Sequence, residues 1–214
     1  MRPPPAVPAG ATATALGESR VEIRWQPSPD PSDGIVHEVR RDGRRVAESA
    51  EARVEEGGLS PAREYCYTVV ARDARGGRSE PSQPVCATTP DLTPPAAPSI
   101  VAVATSDRAV ELVWERPDDN VGSVRYEVLR GGSAVAVVEK PSSEEKGLSP
   151  AREYCYTVRA FDAAGNASRP SSPACATTPD LTPPSQPAAA RALALDGARI
   201  EVAWRASTDD VGVV

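Results

Sequence analysis

Several short segments of the chain alternate between apolar and charged residues. Residues 21–25 read Val-Glu-Ile-Arg-Trp, and residues 110–114 and 200–204 keep apolar residues at the same inward positions and also end in Trp. Successive side chains of a β-strand point to opposite faces, so a period of two predicts strands with one buried face. Clusters of Pro, Asp, Gly and Asn follow at 27–34 and 117–122 and favour turns. Short strands separated by frequent turns predict an all-β antiparallel sandwich.

The chain repeats itself with an offset of 89 residues. Residues 59–95 and 148–184 are identical at 29 of 37 positions, and Trp25, Trp114 and Trp204 are spaced by 89 and 90 residues. Two complete repeats are therefore predicted at 1–90 and 99–179, separated by a Pro-rich linker at 91–98. A second linker at 180–187 precedes an incomplete third repeat at 188–214, which holds two strands and the start of a third.

The differences between the copies indicate which way the side chains point. In residues 65–72 the odd positions are the same in both copies, whereas Val70 and Arg72 are replaced by Arg159 and Phe161. One face of this strand is thus held constant, and we predict that it faces the core. Cys66 then points outward. The predicted core aromatic residues are Trp25, Tyr65, Tyr67, Trp114, Tyr154, Tyr156 and Trp204.

The four cysteines form two pairs with a separation of 20 residues each. Directly opposed residues of neighbouring antiparallel strands bring their Cβ atoms to within about 4.5–5.5 Å, near the distance that a disulfide needs. We predict the pairs Cys66–Cys86 and Cys155–Cys175, which implies an oxidising compartment. Free thiols and a zinc site are the weaker alternatives, and the C-x-x-C spacing typical of zinc sites is missing.

The order of the motifs resembles a fibronectin type III domain. Trp25 comes early, Leu59, Pro61, Tyr65, Tyr67, Val69 and Ala71 follow in one run, and Asp73, Gly76, Ser79, Ser82 and Thr88-Thr89 close the repeat. The sequence of residues 156–168 is similar to the bacterial branch of this family, which is found beside secreted polysaccharide-degrading enzymes. This resemblance implies seven-stranded sandwiches in which Tyr65 and Tyr154 are corner tyrosines that bond to the backbone upstream.

Composition excludes several classes of function. The formal net charge is −6, which disfavours nucleic-acid binding. His37 is the single histidine, so multi-histidine metal sites are impossible and a histidine-dependent triad is disfavoured. No apolar run is long enough for a transmembrane helix or a signal peptide, and a mature or excised segment of a secreted protein is therefore expected.

The candidate chemical groups are few. Asp118-Asp119 and Asp209-Asp210, with Asp30 and Asp33 in the first copy, suit either calcium or ordinary turns, and the turn interpretation is favoured. Neither a glycosidase carboxylate pair nor a nucleophile beside His37 is indicated. The Arg-rich turn at 40–45 suits an acidic polymer or a solvated turn, and Phe161 alone is too small a platform for sugars. No catalytic residue, cofactor or metal is assigned.

These observations predict a non-catalytic extracellular or cell-surface protein, either a structural spacer or an adhesion module. Its partner would be a protein or a polysaccharide at the cell surface, without membrane insertion. One alternative is a filament subunit that associates with itself through residues 188–214. The other is an accessory segment of a secreted polysaccharide-degrading enzyme.

Overall fold

The computed structural model describes residues 3–27 and 34–212, apart from the side chains of Ser123 and Val124. The predicted turn residues Asp30 and Asp33 lie outside the described residues. Sixteen β-strands and no helix occur in the described part of the chain. No helix there is long and apolar enough to cross a membrane. The chain divides into two compact units, of which unit 1 holds residues 1–94, 119–122 and 163–166, and unit 2 holds the rest.

Unit 1 contains two antiparallel sheets. A three-stranded sheet has the order β1-β2-β5, and a four-stranded sheet has the order β4-β3-β6-β7. The strands are β1 Ala9–Gly17, β2 Arg20–Gln26, β3 Val36–Arg41, β4 Arg44–Ser49, β5 Arg53–Gly57, β6 Glu64–Arg72 and β7 Val85–Thr88.

Unit 2 repeats this arrangement. Its three-stranded sheet has the order β12-β9-β8, and its four-stranded sheet has the order β11-β10-β13-β14. The strands are β8 Ile100–Ser106, β9 Ala109–Trp114, β10 Ser123–Arg130, β11 Ser133–Val138, β12 Ser142–Lys146, β13 Glu153–Asp162 and β14 Ala174–Thr177. The fold is therefore that of tandem seven-stranded β-sandwiches, as the alternation predicts. The predicted repeat and linker boundaries stay predictions, since the compact units do not follow them.

The apolar positions of the alternating strands make up the two cores. In unit 1 the core includes Val21, Ile23, Trp25, Tyr67 and Val69, all buried. The matching core of unit 2 includes Val110, Leu112, Trp114, Tyr126, Tyr156 and Val158. Tyr65 is also buried, whereas Tyr154 is half-buried at the edge of its core. Removing these side chains from water is the main favourable contribution to the stability of each sandwich.

Two serines occupy the part of β6 that β7 does not reach. Strand β7 pairs only with residues 64–67 of β6. Beyond that point the backbone N–H groups of Val69 and Ala71 donate to Ser82 Oγ and Ser79 Oγ, at 3.0 and 2.9 Å. In unit 2 Ser171 and Ser168 do the same for β13. The backbone N–H groups of an unpaired strand edge can pair with another chain. Here the serine hydroxyl groups accept hydrogen bonds from these N–H groups, so the edge is protected within the same repeat.

Trp204 is not a core residue in this structure, contrary to the sequence prediction. It lies on β16 (Arg199–Arg205), which pairs with β15 (Ala188–Asp196) in a two-stranded sheet. Its side chain is 60% exposed, compared with 5% for Trp25 and 4% for Trp114. The alternation places Trp204 on the same face of β16 as Ile200 and Val202. In the described residues, however, no second sheet covers this face. Self-association through residues 188–214 stays a prediction.

We expect the three tryptophans to differ sharply in their contribution to stability. Trp25→Ala should lower the free energy of unfolding by about 3–5 kcal/mol, because it empties a buried site. Trp204→Ala should change it by less than about 0.5 kcal/mol, as for most exposed positions. Urea unfolding followed by circular dichroism measures both changes. Equal losses for the two variants would contradict the exposure of Trp204.

Candidate functional site

Each sandwich has a hydrogen-bonded corner built around one tyrosine. Tyr65 Oη accepts a hydrogen bond from the backbone N–H of Ser60 at 2.9 Å and lies 3.4 Å from the carbonyl oxygen of the same residue. Thr89, fully buried, donates from Oγ1 to the Ser60 carbonyl at 2.7 Å and accepts from the Arg63 N–H at 3.2 Å. These bonds tie the end of the repeat to the loop before β6.

The corner of unit 2 has the same bonds. Tyr154 Oη accepts from the Ser149 N–H at 2.9 Å, and Thr178 Oγ1 donates to the Ser149 carbonyl at 2.7 Å. The two corner tyrosines thus occupy the positions that the family resemblance implies for them.

The cysteine pairs lie directly beside these corners. Cys66 on β6 stands opposite Cys86 on β7, and Cys155 on β13 stands opposite Cys175 on β14. Both pairs are joined as disulfides on the outer side of their sheets, where the alternation places them. Each bridge fastens a four-residue last strand to the long strand beside it.

A shallow groove lies next to each corner and has nearly the same lining in both units. In unit 1 the Arg41 and Arg63 guanidinium groups lie 5.3 and 5.7 Å from the centre of the Tyr65 ring. In unit 2 Arg130 and Arg152 lie 5.5 and 6.0 Å from the Tyr154 ring. The groove volumes are about 490 and 620 Å³.

Part of the positive charge in these grooves is already neutralised. Arg41 pairs with Glu56 at 2.7 Å, and Arg130 pairs with Glu145 at 2.9 Å. The remaining arginines stabilise the corner through cation–π contacts with the tyrosine ring. The charged side chains of the groove therefore serve to support the corner.

Comparison with known proteins identifies the family. Residues 4–88 match the family model for the fibronectin type III domain, and the end of this segment recurs 89 positions later. The chain is built of fibronectin type III repeats. This is a non-catalytic type of domain, and the tandem sandwiches described above agree with it.

Three curated relatives that match much of the chain are bacterial. Exoglucanase B of Cellulomonas fimi is 34% identical over 97% of this chain. Chitinase A1 of Niallia circulans is 30% identical over 77% of the chain, and Endoglucanase B of Cellulomonas fimi is 35% identical over 79%. The matched part is only 20%, 24% and 18% of these three proteins, so the chain spans about a fifth of the length of the relatives it matches.

His37 is a core residue of the first fibronectin type III repeat. It is 3% exposed, and its ring lies 5.2 Å from that of Trp25. Tyr126 takes the same place against Trp114 in the second repeat, at 5.3 Å. Neither imidazole nitrogen makes a well-formed hydrogen bond, and burial lowers the pKa of His37 below its usual value of 6.5, although the nearby Ser49 backbone acts in the opposite direction. A buried neutral ring is unsuited to acid–base chemistry at the surface.

The Arg-rich turn is largely neutralised by carboxylates. Arg40 pairs with Glu38 at 2.8 Å, Arg41 with Glu56, and Arg45 with Glu48 at 3.1 Å. This pairing weakens the case for an acidic polymer at this turn.

Glu38 is a buried carboxylate that the sequence pattern did not reveal. It is 1% exposed and is also contacted by Arg78 at 3.0 Å and Arg72 at 3.7 Å. The hydrogen bond from Arg40 is the main cause that lowers the pKa of Glu38. These arginines cover the outer face of the sheet around a charge that would otherwise be costly to bury.

Phe161 is covered rather than free. The Arg125 and Arg159 guanidinium groups lie 4.8 and 5.5 Å from its ring centre. Stacking on a sugar ring would first have to displace these cations. This agrees with the interpretation that a single ring here is too little for carbohydrate binding.

Removing the first disulfide should destabilise the first repeat. For the Cys66→Ala, Cys86→Ala double variant we expect a loss of about 3 kcal/mol, because a loop of 20 residues is no longer closed in the unfolded chain. Denaturant unfolding without reductant measures the loss, and Cys155→Ala, Cys175→Ala is the matched variant in the second repeat. Alkylation of thiols in the native, unreduced protein would contradict both bridges.

His37 should make the first repeat sensitive to mild acid. Because its pKa is lowered on folding, the unfolded chain takes up a proton near pH 6.5 before the folded chain does. The free energy of unfolding should therefore fall by up to about 1.4 kcal/mol per pH unit as the pH drops below about 6.5. Urea unfolding between about pH 5 and 8 measures this slope.

His37→Tyr is the matched control, since it introduces the residue that the second repeat carries at this position. It should remove the acid-dependent slope in this pH range. A slope that persists in the variant would assign the effect to other groups.

Proposed function

We propose that the chain is a non-catalytic accessory segment of a bacterial secreted enzyme that degrades a polysaccharide. The observation that carries the proposal is the pattern of relatives. Two glucanases and a chitinase match most of this chain, while the chain corresponds to about a fifth of each of them. In the whole enzyme, a domain other than these repeats would then carry out catalysis.

The construction of the repeats supports this role. Both sandwiches carry an outer disulfide and a tyrosine corner, which brace the folded unit. Disulfides persist in oxidising compartments, and an enzyme acting on a polymer outside the cell works in such a compartment. A location outside the cell or on its surface belongs to the same proposal.

The surface of the first two repeats suits a spacer better than an adhesion module. Phe161 is covered by arginines, and the Arg-rich turn is largely neutralised, so neither offers a ready binding surface. Linkers with several prolines are semi-rigid and extended. Rigid sandwiches joined in this way would set the distance between a catalytic domain and its neighbours.

A domain-replacement experiment tests the proposal. The chain is placed between a glucanase catalytic domain and a cellulose-binding domain and compared with a Gly-Ser linker of 214 residues. We expect equal kcat/KM on a soluble oligosaccharide and an activity on insoluble cellulose at least twofold higher with the repeats. The isolated chain should release no sugar from cellulose or chitin.

Two outcomes would contradict the proposal. Hydrolysis by the isolated chain would make the repeats catalytic. Equal activity of the two fusions on insoluble cellulose would remove the spacing role. Retention of the isolated chain on cellulose or chitin would instead favour a binding role over spacing.

A further inference from the structure

A pair of aspartates recurs in the same place in the two units. In unit 1 the carboxylates of Asp91 and Asp119 lie close together, with one oxygen of each within 4.8 Å of the other. In unit 2 the same holds for Asp180, Asp209 and Asp210. Asp91 and Asp180 are the same residue of the Pro-rich segment, 89 positions apart, and Asp119 and Asp209 are the same turn residue, 90 apart.

Asp91 is held rigidly, with one oxygen left over. It is 8% exposed. Its Oδ1 accepts hydrogen bonds from the Thr93 N–H at 3.2 Å and from Asn120 Nδ2 at 3.0 Å. Its Oδ2 is buried and has no hydrogen-bond partner. A buried carboxylate oxygen without a donor is costly and calls for an explanation.

Asp119 has the same arrangement from the other side. Its Oδ2 accepts from the N–H groups of Val121, at 3.1 Å, and Gly122. Its Oδ1 is buried and has no hydrogen-bond partner. In each carboxylate, therefore, the loop backbone engages one oxygen and leaves the other unsatisfied.

The second pair repeats these bonds. Asp180 Oδ1 accepts from the Thr182 N–H at 3.1 Å, as Asp91 does from Thr93. Asp209 Oδ1 accepts from the Val211 N–H at 2.9 Å, and Asp209 Oδ2 is buried without a partner. The unsatisfied oxygen of the turn aspartate thus recurs in two separate places, at Asp119 and Asp209, whereas Asp180, unlike Asp91, is exposed.

We propose that each pair binds a calcium ion, one through Asp91 and Asp119 in unit 1 and one through Asp180 and Asp209 in unit 2. A divalent cation would satisfy the unpaired oxygens and offset the repulsion between neighbouring carboxylates. The donors are all oxygens, which suit a hard cation, whereas zinc prefers nitrogen and sulfur. Calcium tolerates irregular coordination completed by water and carbonyl groups, whereas magnesium demands a near-ideal octahedron.

The ion would give these aspartates a role beyond that of turn formers. In unit 1 it would tie the residue that begins the Pro-rich segment to the turn at 119–122. In unit 2 Asp210, whose Oδ2 accepts from Arg108 at 2.6 Å, offers a third carboxylate. The corresponding turn of the first copy lies outside the described residues, and no site is proposed there.

Calorimetric titration of CaCl₂ into the full, chelator-treated chain tests the proposal. We expect two ions to bind in the range of about 10⁻⁴–10⁻³ M that is typical of extracellular modules. Asp91→Asn and Asp180→Asn should each remove one ion, and the double variant should bind none. Asp42→Asn is the matched control, because it removes one carboxylate from an exposed turn and should bind two ions as the original chain does.

Thermal unfolding separates a cation site from a purely structural role. In excess chelator the Asp119→Asn variant should unfold at the same temperature as the original chain or higher, because like-charge repulsion is relieved. In excess CaCl₂ it should unfold at a lower temperature than the original chain, because one ion is lost. Destabilisation to the same extent in both conditions would mean that Asp119 acts only through its backbone hydrogen bonds, and would overturn the proposal.

Two further results would overturn it. One is the absence of any binding heat and of any change in unfolding temperature up to about ten times the upper limit of that range. The other is an equally strong response to MgCl₂, which would remove the assignment to calcium.

Discussion

Strand β6, like its counterpart β13, has to meet a different requirement on each of its faces. Its inner face supplies Tyr65, Tyr67 and Val69 to the core, and its outer face carries Cys66, which is bonded to Cys86 on β7. A shift of register by one residue would exchange these faces, placing the sulfur in the core and the tyrosines in water. The period of two along this strand therefore determines the corner, the bridge and the packing together.

The same strand also explains the position of the polar residues around it. Because β7 pairs with only four residues of β6, the remaining N–H groups need other acceptors, and Ser79 and Ser82 supply them. Thr89 closes the other end by bonding to both sides of the loop at 60–63. Buried polar groups that are fully bonded in this way restrict the chain to one arrangement.

The part of the fold that depends on local pattern could be predicted from the sequence. Alternation and repetition indicate the strands, the inward tyrosines and the opposed cysteines, because all of these follow from a period of two and from neighbouring strands. Glu38 escaped prediction because Arg78, which covers it, lies 40 residues further along the chain. Trp204 was misplaced because alternation gives the direction of a side chain but not whether a second sheet covers it. The unpaired oxygen of Asp91 also required three-dimensional contacts, since turn chemistry alone accounts for only one oxygen of each aspartate.

Comparison of the two repeats separates what they share from what distinguishes them. The corners and disulfides are the same and the cores are closely similar, apart from His37 in the place of Tyr126, so these features serve stability in both copies. The outer faces differ: Val70 and Arg72 of the first repeat lie beside the buried Glu38, whereas Arg159 and Phe161 take their places in the second. The other sheet differs too, since Val101, Val103 and Val113 are exposed on the second repeat, where the first carries Thr12, Thr14 and Arg24. A partner that distinguishes the two repeats would therefore contact these outer faces or the Arg-rich turn at 40–45, because the corners and the disulfides are the same in both copies.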